Sequence, residues 1–242
     1  MMWPFSRRIP LRDSGIFSGF TDWHSHILPG VDDGVRTMEE SLEILHLYGG
    51  LGVKTVWLTP HIMEDIPNTT AHLRERFAEL QTAYSGPITL HLAAENMLDN
   101  LFEERLERND LLPIGVNGDH LLVETSYFNP PMDLYDILQR IMAKGYYPVL
   151  AHPERYVYMG EPDYRRLKDM GVKFQLNIPS IAGMYGSQIR EKALRLLSDK
   201  AIDYTGTDIH QYDMLQKLIC TGITKRERKC IDSKSGYYSH SL

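Results

Sequence analysis

Short apolar runs rich in β-branched and aromatic residues alternate along this 242-residue chain with longer stretches of helical period, and glycine or proline marks most of the joins. The runs predict strands at 20–26, 55–59, 88–94, 121–124, 148–151, 173–177 and 203–206. The periodic stretches predict helices at 38–48, 71–84, 101–108, 134–144, 163–170 and 188–198. Thr37 and Glu40 stand in capping-box spacing just ahead of the apolar positions Leu42 and Leu45, which fixes a helix start there. About seven βα units with short links imply a parallel sheet covered by helices. At this length a closed or nearly closed barrel is favoured over an open doubly wound sheet, and no glycine-rich phosphate loop argues for the open form. No internal repeat or long linker interrupts the pattern. The expected organisation is an N-terminal arm (1–18), a barrel domain (19–224) and a polar tail (225–242) that loses apolar period.

Composition narrows the function classes. With 43% hydrophobic residues the chain can bury a full core, and its length matches the ~250 residues of a single βα barrel. The formal balance of −6 supplies no positive field for a nucleic-acid backbone or an anionic membrane, so neither partner is expected. No run approaches the ~20 apolar residues of a membrane span. Cys220 and Cys230, the two cysteines, form no disulfide framework and fit a reducing, cytoplasmic setting.

The residue types at the strand ends carry the chemistry. His24 and His26 end the first strand, His61 follows the second, Glu95 the third, Glu124 ends the fourth, His152 follows the fifth, and Asp208 and His210 follow the seventh. All strand C-termini of a βα barrel converge on one face, so these side chains would meet in one cavity. The i, i+2 spacing in DWHSH puts both imidazoles on one side of an extended strand. The other five histidines serve as a control: His46 and His72 fall on helices, His91 and His120 at strand beginnings, and His240 in the tail. Singly, each residue has a bland reading, as a satisfied polar group, a turn former, an ordinary ion pair or, for Asp208, a helix cap. Jointly they would gather buried ionisable groups without counter-charge, a costly arrangement unless cations neutralise them.

The ordered segments DWHSHILPGVDDG, TPH, Glu95, Glu124, AHPERY and GTDIH resemble the polymerase-and-histidinol-phosphatase (PHP) superfamily, and more closely its bacterial protein-tyrosine phosphatases of the CpsB/YwqE type. The likeness runs from Thr21 to His210. It implies an α/β fold, a distorted (β/α)7 TIM-like barrel, and a site of two to three divalent ions, manganese first, with iron, magnesium, zinc or cobalt as alternatives. It maps the ligands onto His24, His26, Asp33, His61, Glu95, Glu124, His152, Asp208 and His210, and a phosphate-binding, catalytic arginine onto Arg155. Within VDDG it selects Asp33, leaving Asp32 as a turn or cap residue. After GTDIH the chain reads QYDMLQKL, without the arginine some relatives carry there.

A ligand set of this size exceeds the needs of one ion, so bridging carboxylates are expected, with Glu95 and Asp208 as candidates. Arg155 offers a planar fork to phosphate oxygens; its ordinary alternative is an ion pair with Glu154 or Glu161. The resemblance implies a phosphotyrosyl protein substrate, a bacterial tyrosine kinase of capsule or exopolysaccharide assembly. The alternatives are a histidinol-phosphatase-like small-molecule enzyme and a non-catalytic metal-binding regulatory barrel. Cys220 and Arg226 have the spacing of a cysteine-dependent phosphatase loop, but Ile219, Glu227 and the single glycine of the intervening TGITK fit it poorly. Tyr127, Phe128, Tyr156, Tyr158 and Tyr185 are candidates for an aromatic rim, with crevice packing as the alternative.

Overall fold

The protein is described by a computed structural model covering residues 8–115 and 117–235. Its strands are β1 (Arg8–Pro10), β2 (Thr21–Ser25), β3 (Thr55–Leu58), β4 (His61–Ile62), β5 (Thr89–Leu92), β6 (Glu95–Met97), β7 (His120–Glu124), β8 (Tyr147–Ala151), β9 (Lys173–Asn177), β10 (Tyr204–Gly206) and β11 (Gly222–Thr224). Its α-helices are α1 (Leu11–Ser14), α2 (Met38–Leu51), α3 (Thr70–Ala83), α4 (Asn100–Arg108), α5 (Leu134–Ala143), α6 (Glu161–Asp169), α7 (Ile178–Ala182), α8 (Ser187–Ser198), α9 (Tyr212–Cys220) and α10 (Lys225–Ser235). Each strand and helix expected from periodicity is present with ends shifted by no more than a turn.

The ladder is not one continuous seven-stranded sheet. Strands β2–β3–β5 form one parallel piece and β10–β9–β8–β7–β6–β4 another, together a curled parallel sheet of half-barrel form. The two expected strands at 55–59 and 88–94 are each followed by a second short strand that the sequence did not predict, β4 and β6. Pro60 has no amide to give the ladder, so β3 stops before it and β4 resumes beyond it with a new partner. The Pro60 carbonyl instead accepts the Glu95 amide at 3.1 Å. At the other end the Asp208 amide donates to the His24 carbonyl at 2.7 Å, and the His26 amide to the Ile209 carbonyl at 2.9 Å, bringing the ends of β2 and β10 together.

Alternation along the strands sorts the core. Val56 and Leu58, Leu121 and Val123, and Leu150 pack in the main cluster shared with the helices, while Trp57, Leu122, Val149, Ala151 and Tyr204 make a second, inner cluster with Trp23. Glu124, two residues beyond Leu122, therefore continues the inner face.

The outer elements add what periodicity had left out. Helix α9 buries Leu215, Leu218 and Ile219. The residues from Lys225, expected as a polar tail, form α10 as far as Ser235: Ile231 is buried, and Glu227 pairs with Arg190 while accepting the Thr224 amide at 2.7 Å. The rest of that tail lies outside the described residues. Strand β11 pairs antiparallel with β1, so Gly222–Thr224, three of the five residues between Cys220 and Arg226, are laddered backbone and not an anion-cradling loop. Among the described residues no helix is long and apolar enough to cross a membrane.

Candidate metal centre

Nine side chains with ligand atoms converge at the C-terminal ends of the parallel strands, in four overlapping groups: His26, Asp33, His61 and His210; His24, Glu95 and His152; His24, His26 and Asp208; His61, Glu95 and Glu124. These are the nine residues expected from the sequence. Strand β2 and the loop after it, the starts of β4 and β6, the end of β7 and the loops after β8 and β10 deliver them, and the control histidines His46, His72, His91 and His120 take no part. Two of the nine adopt left-handed backbone without being glycine, His152 (φ 34°) and Asp208 (φ 53°). Such strain survives only where surrounding contacts dictate it.

Glu95 is the hub. Its Oε2 lies 3.0 Å from His24 Nε2, 3.1 Å from His26 Nε2 and 3.3 Å from His61 Nδ1, and its Oε1 lies 3.0 Å from His152 Nε2. Asp208 Oδ1 stands 3.6 Å from His24 Nε2 and 3.4 Å from His26 Nε2. The opposite imidazole nitrogens are committed elsewhere: His24 Nδ1 faces Gln175 Oε1 at 2.9 Å, and His26 Nδ1 faces Asp32 Oδ2 at 2.8 Å. Both Nδ1 atoms must carry the hydrogen to satisfy those acceptors, so the two Nε2 atoms, 3.0 Å apart and against a carboxylate, meet there only with a proton or a metal ion between them. His61 Nδ1 and Glu124 Oε1, both buried, face each other at 3.1 Å without hydrogen-bond geometry. The donor set is therefore one that divalent ions fit.

The local field says the same. Burial pulls the His24 imidazole toward neutrality, yet the Glu95 and Asp208 carboxylates outweigh it and raise its pKa to about 9. His26 is raised well above its ordinary range, with Asp32 and Glu95 overcoming burial. Glu95 and Asp208 resist burial and are pushed down by the imidazoles around them. His210 is the exception: burial first, then the neighbouring His26, lower it to about 4, so its ring stays neutral.

Arg155 lies in a single 3₁₀ turn after His152 and closes one side of the cluster. Its Nη1 donates to Asp208 Oδ2 at 2.9 Å, and Asn177 Nδ2 donates to the same oxygen at 2.7 Å. The guanidinium is sandwiched between the rings of Tyr127 (4.3 Å) and Tyr185 (4.5 Å). Its expected alternative partners are engaged elsewhere. Glu154 is buried, accepting from the Asn177 amide and from Ser180 Oγ, and Glu161 pairs with Arg195.

Residues 20–234 match the family described as capsular polysaccharide synthesis, CpsB/CapC. The chain belongs to the CpsB/CapC family. Among its relatives, the tyrosine-protein phosphatase YwqE of Bacillus subtilis is 29% identical over 195 residues, 78% of this chain and 76% of that protein. CpsB of Streptococcus pneumoniae, also named a tyrosine-protein phosphatase, is 29% identical over 205 residues, 79% of this chain and 83% of that protein. A structural neighbour comes from the crystal structures of YwqE and CpsB described as metal-dependent tyrosine phosphatases. It has a TM-score of 0.75 and 25% identity, over 91% of this chain and 89% of that one.

In this CpsB/CapC chain the neighbours Asp32 and Asp33 take different positions. Asp33 Oδ1 stands 3.6 Å from both His61 Nε2 and His210 Nε2, at the solvent side of the cluster. Asp32 is buried and braced by the His61 and Gly34 amides while it accepts from His26. More than a turn former, it orients a candidate ligand. Sequence reasoning missed the other orienting groups. Gln175 holds His24 and accepts the His152 amide at 3.2 Å, and Asn177 holds Asp208. Both lie on β9, the strand that contributes no ligand type. Beneath Asp208, buried Asp22 accepts from the Thr207 amide and hydroxyl and from the Tyr48 hydroxyl. Burial raises the Asp22 carboxyl to about 6.

Proposed function

We propose that this chain is a divalent-metal-dependent phosphatase that hydrolyses phosphotyrosine on a protein substrate. The observation that carries the reading is Asp208: one oxygen faces the imidazoles of the cluster and the other holds Arg155, so an anion-binding fork adjoins the ligand cage. We assign His24, His26, Asp33, His61, Glu95, Glu124, His152, Asp208 and His210 as holding two or three divalent ions, manganese first, within a distorted seven-unit βα barrel. Bound there, such ions polarise phosphoryl oxygens and make water acidic enough to lose a proton near neutral pH.

The protein's own groups do the rest. Arg155 keeps donors beyond Nη1 for the non-bridging phosphate oxygens, and the two tyrosine rings fix the plane in which they point. Gln175 and Asp32 hold the imidazoles of His24 and His26 in the tautomer that aims Nε2 into the cage. No side-chain nucleophile is needed, and Cys220, exposed at the end of α9, is not part of the cluster. A phenolate, with a pKa of ~10, leaves with little protonation, which suits a site without a dedicated acid. Membership of a capsular-polysaccharide family supports a cytoplasmic tyrosine kinase of that assembly as the phosphoprotein.

The test joins metal analysis to a substrate panel. The purified chain should hold more than one divalent ion and hydrolyse a phosphotyrosyl peptide with higher kcat/KM than histidinol phosphate. Full activity after exhaustive chelation, or a preference for histidinol phosphate, would refute the reading.

A further inference from the structure

Four large apolar side chains stand largely in solvent among the described residues: Phe128 (70%), Met132 (106%), Val157 (62%) and Tyr147 (52%). Tyr147 begins β8, at the end of the sheet remote from the metal centre. The other three belong to two loops beside it. Phe128 and Met132 lie between β7 and α5, and Val157 follows the turn that carries Arg155. The Val157 amide donates to the Tyr127 carbonyl at 2.9 Å, and the Tyr127 ring in turn covers Arg155. The exposed residues are thus attached to the clamp itself.

Single apolar residues on a surface need no explanation, so three further features decide the matter. The first is stiffness. Phe128 and Met132 are separated by Asn129, Pro130 and Pro131, and two successive prolines fix their own φ and restrict the residue before each. Side chains presented on such a segment lose little freedom when they bind. The second is charge. Neither 126–132 nor 156–160 contains a side chain charged at neutral pH, and the cation these loops hold, through the Tyr127 ring, is Arg155, with its side chain 20% exposed. A ligand matching it carries one anionic group with uncharged apolar neighbours; an anionic membrane would call for basic residues that these loops lack. The third is size. Three side chains offer a few hundred Å² at most, against the ~800 Å² per partner of a standard interface, which suits a short peptide and not a stable second copy.

We propose that Phe128, Met132 and Val157 form a docking rim for apolar side chains flanking the phosphotyrosine of the substrate. Resting on the phosphotyrosyl reading above, this names the substrate class: a segment with aliphatic or aromatic residues within a few positions of the phosphorylated tyrosine. Its phosphate meets Arg155 while its flanks lie on the uncharged loops.

The experiment is fluorescence anisotropy on the metal-loaded full chain with two labelled peptides carrying a non-hydrolysable difluoromethylphosphonate mimic of phosphotyrosine. One has leucine and phenylalanine flanks and the other serine and glycine at equal net charge. The apolar peptide should bind roughly tenfold more tightly, the effect of burying one to two such side chains. Phe128→Ser with Met132→Ser, and separately Val157→Ser, should erase that preference while leaving hydrolysis of a small aryl phosphate unchanged; these exposed sites carry little folding risk. Equal affinity for both peptides, or a preference that survives the double substitution, overturns the proposal. So does binding to phosphatidylglycerol vesicles, or a dimer, that the double substitution abolishes in place of any peptide preference. Because the mimic reports binding without turnover, failure to hydrolyse any aryl phosphate would remove the phosphatase reading separately.

Discussion

Arg155 commits one nitrogen to Asp208 and lies flat between two tyrosine rings, and each of these features depends on its being arginine. A lysine has no plane to stack and no fork to span two oxygens. Arg155→Lys should therefore lower kcat/KM by roughly 2–4 kcal/mol of transition-state stabilisation while the bound metal, measured by elemental analysis, stays constant. Gln175→Leu should do the reverse. Without its oxygen, His24 loses the acceptor that fixes its tautomer, and metal affinity should fall by ~10–100-fold as read by competition with a chelating dye. The candidate ligands other than Asp33 were legible because ionisable types at strand ends are unusual and the fold dictates where strand ends meet, whereas Asp33, in the loop after β2, was reached only through the family resemblance. Gln175 and Asn177 were not, since an amide inside a strand has no pattern until the imidazole or carboxylate it faces is known. Tyr127 and Tyr185 were legible only as aromatic rim residues; that they cover Arg155 depends on loop conformation.

Elements were legible where an apolar face repeats and obscure where one or two contacts hold them. Thr37 caps α2 as its spacing predicts, accepting the Glu40 amide at 3.3 Å. Glu40, however, leaves the reciprocal half of the capping box and accepts the Tyr212 amide at 3.0 Å, tying the start of α9 to the start of α2. A local motif cannot reveal a partner 172 positions away. Helix α9, absent from the periodic stretches of the sequence, still buries Leu215, Leu218 and Ile219; α10 has no comparable face, because among its described side chains Ile231 and Glu227 are the ones that reach the interior. Those two still make α10 structural. Truncation after Thr224 uncovers the surface under Ile231, worth ~1.5–3 kcal/mol, and removes the carboxylate shared by Arg190 and the Thr224 amide. The truncated chain should melt roughly 5 °C or more below the full one, since each 1 kcal/mol corresponds to ~2–4 °C at this size. An unchanged Tm would make α10 dispensable.

At the scale of the whole molecule the fold exists around a charge problem. The curled sheet brings β2 and β10 together beneath a cage whose carboxylates and imidazoles are nearly all buried, and a protein of this kind is most stable when the cage charge is balanced. Beyond the Arg155 guanidinium on Asp208, metal-free protein balances it with protons, which is why the His24 imidazole is raised to about 9 by Glu95 and Asp208 against the pull of burial. The sign of the consequence follows from linkage. A histidine whose folded pKa lies above its unfolded value of ~6.5 contributes stability that is complete below pH ~6.5 and is lost as pH rises through its folded value. The metal-free chain should therefore lose thermal stability between pH 6.5 and 9. The manganese-loaded chain should behave oppositely over the same window, because protons no longer compete for the nitrogens and the ions bind more tightly as pH rises. The gap in Tm between the loaded and stripped forms should widen steadily from pH 6.5 to 9, followed by scanning calorimetry at fixed free metal. Cys220→Ser should leave that gap untouched, whereas His24→Ala or Asp208→Ala should collapse it and lower kcat by orders of magnitude together. Parallel melting curves for the loaded and stripped forms would mean that the cage is balanced by something other than cations, and the metal assignment would fall with them.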